Sequence, residues 1–72
     1  MTKLAGISWH KAVNAFRRAG WQVLRQKGSH VVLGKAGRPN LVIPAHRTVA
    51  PFLLVSQVRR AGLTEEEFLA LL

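Results

Sequence analysis

Between Trp9 and Ala19 the apolar residues recur every three or four positions. Trp9, Ala12, Val13, Phe16 and Ala19 make one stripe, and His10, Lys11, Asn14, Arg17 and Arg18 fill the other face. That spacing predicts an amphipathic helix over about Trp9 to Ala19. Ser8 can cap its start, because a serine hydroxyl accepts from an exposed backbone N–H. Gly20 fits the left-handed stop after the last turn. From Trp21 onward the period shortens. Trp21 to Gln26 reads as a strand, with Trp21, Val23 and Leu24 as its apolar members. Lys27-Gly28 makes a tight turn, and His30 to Leu33 forms a second strand. Gly34-Lys35-Ala36-Gly37 supplies the turn chemistry for another hairpin. Asn40 to Ile43 is the third strand, which Pro44 ends or pushes to an edge. The strands do not alternate cleanly, so the pattern does not assign His30 to either face of the sheet.

Helical spacing returns after Arg47. Thr48 or Ala50 begins a second helix, with Pro51 tolerated in the first turn. Phe52, Leu53, Val55, Val58 and Ala61 form its apolar stripe, and Gly62 stops it. Leu54 falls off that stripe and is expected to be an exposed contact. Thr64-Glu65-Glu66-Glu67 is a capping box, in which Thr64 and Glu67 satisfy each other's backbone N–H. Its acids also suit the positive end of a helix. Phe68, Leu69, Leu71 and Leu72 complete a short apolar C-terminal helix. The predicted order is α-β-β-β-α-α. A three-stranded antiparallel sheet with helices on one face is the natural α+β solution.

Length and charge narrow the function. Seventy-two residues make one domain over 1–72, and a chain this short buries only roughly 60% of its unfolded surface. Eleven Lys and Arg face three acids, for a net charge of +8. The three acids are consecutive at Glu65, Glu66 and Glu67, so every cation and no carboxylate lies before residue 65. Such a field favours polyanions, nucleic acid first and an anionic membrane second. A carboxylate metal site cannot form before residue 65. The absence of cysteine excludes disulfides, thiolate nucleophiles and Cys-type zinc sites. The three histidines have no metal-site spacing. No metal or other cofactor is expected. No apolar run reaches the ~18 residues that span a membrane, and no signal-type segment opens the chain. A cytoplasmic protein with no membrane partner is the plain reading.

The candidate chemistry centres on Gly28-Ser29-His30. A histidine has an unperturbed pKa of about 6.5 and exchanges a proton near neutrality. RNA cleavage without a metal needs a base for a 2′-hydroxyl and cations to hold the scissile phosphate. His30 offers the first. Arg25, Lys27 and Arg47 are candidates for the second, Arg as a fork and Lys as a point charge. The plain alternative for His30 is a strand histidine satisfied by a neighbour. Ser29 either donates to phosphate or fixes the turn, and no acid upstream completes a hydrolase triad. His46 is either an exposed loop residue or a second acid–base or phosphate contact. His10, on the polar face of the first helix, is read as solvated. Trp9 and Trp21 have faces that bases could stack on, but are read as core. No phosphate-binding Gly-Lys-Ser/Thr loop is present. Arg59 to Thr64 has a helix-turn-helix flavour, but the acidic, apolar helix that follows is a poor surface for a DNA groove.

Four segments together resemble one family. They are Gly20-Trp21, Arg25-Gln26-Lys27-Gly28-Ser29-His30, Leu41-Val42-Ile43-Pro44-Ala45-His46, and Arg60 to Phe68. In this order, over nearly the whole chain, they resemble the HicA toxins of bacterial toxin–antitoxin systems. The resemblance implies a double-stranded-RNA-binding-domain-like fold and a small mRNA interferase, a ribonuclease that stops translation. It implies that His30 is the catalytic histidine, and that a HicB-type antitoxin covers the active surface. One stretch departs from the family pattern. Family members usually carry a polar, Lys- and Gly-containing segment after the second histidine, whereas Thr48 to Leu54 is apolar here. That points to a modified partner surface. The alternative function is a non-catalytic basic RNA-binding module in which His30 is structural. An interaction domain for an acidic protein is a third reading.

Overall fold

The structure is a computed structural model that describes residues 3–72. Helix α1 spans Trp9–Arg18. The Ser8 hydroxyl accepts from the Lys11 N–H at 3.3 Å, as its position in the sequence predicts. At the other end Gly20 takes φ +96°, a region open mainly to glycine. The Gly20 N–H then reaches the Arg17 carbonyl, and the Trp21 N–H reaches that of Phe16. This is the paired Schellman closure. Gly62 and Leu63 close helix α2, Pro51–Arg60, in the same way on Arg59 and Val58. Helix α3, Glu65–Leu69, starts from the predicted capping box. The Thr64 N–H donates to Glu67 Oε1 at 2.9 Å, and the Glu67 N–H donates to Thr64 Oγ1 at 3.1 Å. The helix is shorter than expected, because Leu71 and Leu72 lie beyond it.

Strands β1 (Gln22–Lys27), β2 (His30–Gly34) and β3 (Leu41–Pro44) form an antiparallel sheet in the order β1-β2-β3. Each of β1 and β3 is set one residue later than predicted. Trp21 precedes β1 and is buried in the core, and Pro44 is the last residue of β3. A β-bulge between Val23 and Arg25 leaves Leu24 as the extra residue. Paired residues share a face and successive residues alternate. Val31 pairs with Ile43 and Leu33 with Leu41, and all four are buried. This face meets α1 and α2. The core closes over it with Leu4, Phe16, Val49, Leu54, Val58 and Phe68. Phe68 brings α3 onto α1, its ring centroid 4.8 Å from that of Phe16. Full burial of each such side chain stabilises the fold by about 1.5–3 kcal/mol. The α-β-β-β-α-α order, with helices on one face, is the α+β, double-stranded-RNA-binding-domain-like arrangement the sequence predicts.

The expectation for Leu54 fails. Leu54 is fully buried, whereas Phe52 is 79% exposed. Pro51 stands in the first turn of α2, and packing against the sheet selects the buried face. Leu54, Val58 and Ala61, at i, i+4 and i+7, then form the buried stripe, with Leu53 and Val55 on its flanks. Phe52 lies outside it.

Candidate active site

His30 is the first residue of β2, immediately after a two-residue turn made by Gly28 and Ser29. Gly28 has φ +58° and Ser29 does not share the positive φ. A positive φ at the first central position alone is the type II′ pattern, which matches the twist of paired strands. The Gln26 side-chain amide donates to the Gly28 carbonyl at 3.3 Å and braces the turn. With Lys27 paired directly to His30, the turn sets both residues in register.

The face question left open by the sequence is settled by the pairing. Because Val31 and Leu33 face the core, His30 and Val32 project from the open side of the sheet. Lys27 stands across from His30, and Arg25 across from Val32, so both cations share that side. Arg25 and Lys27 are two residues apart on the turn side of the bulge, so regular alternation keeps both on the face of His30. Leu24 lies over Gly34, where an added Cβ would come within 2.6 Å of Leu24 Cδ1. His30, Lys27 and Arg25 are all exposed.

A second segment is tied to this end of the sheet. The Ala45 N–H donates to the Ser29 carbonyl at 2.6 Å, and Pro44 pairs with His30. The His46 carbonyl in turn accepts from the Trp9 N–H at 3.3 Å. One end of the molecule thus gathers the Gly28-Ser29 turn, the segment from Pro44 to Arg47, and the start of α1. The partial positive charge of a helix N-terminus adds to the field of the cations there. His46 and Arg47 are exposed on this connection. Ser29 anchors the segment through its carbonyl, and its side chain is exposed.

The remaining aromatic and basic residues divide by position. Trp21 is 2% exposed, so no base can reach it. Its ring meets that of Phe16 edge-on, with the indole N–H buried and without a hydrogen-bond acceptor. Trp9 is half-buried against the core. His10, expected to be simply solvated, stacks on Trp9 with ring centroids 3.7 Å apart. Several cations brace backbone carbonyls far from His30. Lys35 Nζ donates to the Ala19 carbonyl, Arg60 Nε to that of Asn40, and Arg18 Nη1 to that of Leu71. Arg38 lies against Gly62. The signal for Lys35 was a helix C-terminus, whose free carbonyls attract cations, but the donor comes from a distant loop. Among the described residues, no three His, Cys, Asp or Glu side chains group as a metal site, and no helix is long and apolar enough to cross a membrane.

The topology defines a small α+β protein of the double-stranded-RNA-binding-domain type, with one sheet face covered by helices and the other open. Residues 9–63 match the family described as the HicA toxin of bacterial toxin–antitoxin. The chain belongs to that family, and as a toxin of a toxin–antitoxin system it has an antitoxin partner. Helix α3 lies outside the matched span. No curated protein and no solved structure matches the chain.

Proposed function

We propose that this toxin is a metal-independent endoribonuclease that cleaves mRNA in the cytoplasm and so inhibits translation. The chain 1–72 acts as one domain. The observation that carries the reading is the placement of His30. It stands exposed on the open sheet face, directly across from Lys27 and beside Arg25. An exposed imidazole with no side-chain hydrogen bond among the described residues, next to two cations, suits proton transfer at a phosphodiester better than it suits packing.

In this mechanism His30 accepts the proton of a ribose 2′-hydroxyl. The 2′-oxygen attacks the neighbouring phosphorus, and the bond from phosphorus to the 5′-oxygen breaks. A 2′,3′-cyclic phosphate and a 5′-hydroxyl result, the leaving oxygen taking up a proton. His46, held near by the Ala45–Ser29 bond, is the candidate donor of that proton. Lys27, Arg25 and Arg47 hold the phosphate and stabilise the charge that grows on its oxygens. Ser29 adds a hydroxyl at the turn. A HicB-type antitoxin covers this surface, and an acidic partner would be steered to it by the +8 charge. Phe52, the most exposed of the large apolar side chains among the described residues, is one such a partner can bury.

The test is cleavage of a defined RNA by the purified protein in excess chelator. Cleavage is expected to persist, to yield cyclic-phosphate ends, and to disappear in His30→Ala while RNA affinity survives. Cleavage by His30→Ala at the parent's rate overturns the assignment. RNA binding without any cleavage by the parent would instead establish a non-catalytic binding module.

A further inference from the structure

We infer that the stacked pair Trp9–His10 is a nucleobase platform at the rim of the His30 site, positioning a nucleotide next to the scissile phosphate. The inference rests on the ribonuclease reading above and adds a residue pair to it. The two rings stand 3.7 Å apart at 33°. Trp9 is half-buried and packs on the core, whereas His10 is exposed and ends the stack. The Trp9 N–H is bonded to the His46 carbonyl, and Ala45 is bonded to Ser29, the residue before His30. Two backbone hydrogen bonds therefore connect the aromatic pair to the candidate catalytic turn.

Phosphate contacts fix a nucleic-acid backbone but carry no base information. A backbone held by Lys27 and Arg47 leaves its bases free, and an exposed aromatic ring near by gives one of them a surface to stack on. Such stacking accepts any base and holds the strand in place. The other aromatic residues cannot serve here. Phe16, Trp21 and Phe68 are buried, and Phe52 stands on α2. The pair is a positioning element and exchanges no proton in the reaction.

The test uses the full chain and a short 2′-O-methyl RNA, which cannot be cleaved, beside an abasic phosphodiester of the same length. Trp21 is buried, so quenching of tryptophan fluorescence reports Trp9. The RNA is expected to quench and the abasic strand not. His10→Ala should weaken RNA binding by about tenfold, within the range for one stacked base, and leave the abasic strand unaffected. His10→Phe should restore the loss. Equal losses on both strands would mean that His10 contacts phosphate, and overturn the platform while leaving the RNA reading intact. No loss on either strand overturns it as well. Failure of the parent to bind either strand overturns the platform and the RNA reading together. Trp9 is left unchanged throughout, because its inner side belongs to the core.

Discussion

Strands β1 and β2 are paired along their whole length, yet they have opposite surroundings. All six residues of β1 are exposed, and four of the five in β2 are buried. β2 is central and lies under the helices, so its apolar side chains hold the core. β1 is an edge strand that contributes ladder hydrogen bonds and cations. The fold can therefore vary β1 side chains at little cost in stability, and the phosphate-binding candidates Arg25 and Lys27 stand there. His30 belongs to both regions, since it is the one exposed residue of β2 and pairs with the end of β1. The lesson is that the candidate site occupies the part of the sheet that folding does not use.

The sharpest way to break this contrast is to change His30 itself. His30→Ala should lower the rate of RNA cleavage by about 10²–10⁴-fold, the usual contribution of a general acid–base group, with an unchanged melting temperature. A parallel fall in melting temperature would place His30 in the core economy after all. The reverse experiment is Leu33→Ala, three residues along the same strand. It should destabilise the fold by about 2–5 kcal/mol, measured by chemical denaturation, because it empties a fully buried site. Leu54→Asp should behave like a core lesion too, failing to fold, whereas Phe52→Asp should leave stability within about 0.5 kcal/mol and weaken only antitoxin binding.

A smaller effect is expected at the turn that joins the two strands. Gly28→Ala forces a side chain into φ +58° and should cost about 1–2 kcal/mol. For a domain of this size that corresponds to a fall in melting temperature of roughly 4–8 °C per kcal/mol. Cleavage should fall more than stability if the turn positions His30. The mildest change is Lys27→Ala on β1. It should leave the fold intact and reduce the slope of log affinity against log salt by about 0.7, one phosphate on a single strand. An unchanged slope would remove Lys27 from the RNA contact.

Much of this molecule follows from local spacing. The first helix, its serine cap, its glycine stop and the Thr64–Glu67 box are interactions among residues within five positions of one another, so the sequence order alone specifies them. The Gly28 turn and the three strands are local in the same sense, to within one residue at their ends. The family motif pointed to His30, and the charge pattern around it to Arg25, Lys27 and Arg47 as candidates. Long-range packing decided the rest. Which side of the sheet His30 takes depends on which side the helices cover, and no alternation in β1 announced it, because an edge strand with a bulge has no buried face to mark. Leu54 and Phe52 exchanged their expected places because the direction of an apolar stripe is set by what the helix packs against, not by apolar content. The Trp9 N–H meets the carbonyl of His46, 37 positions further along the chain, counting from 9 to 46. Spacing along the chain carries no information about such a contact, because it is closed only when the core brings β3 and the start of α1 together.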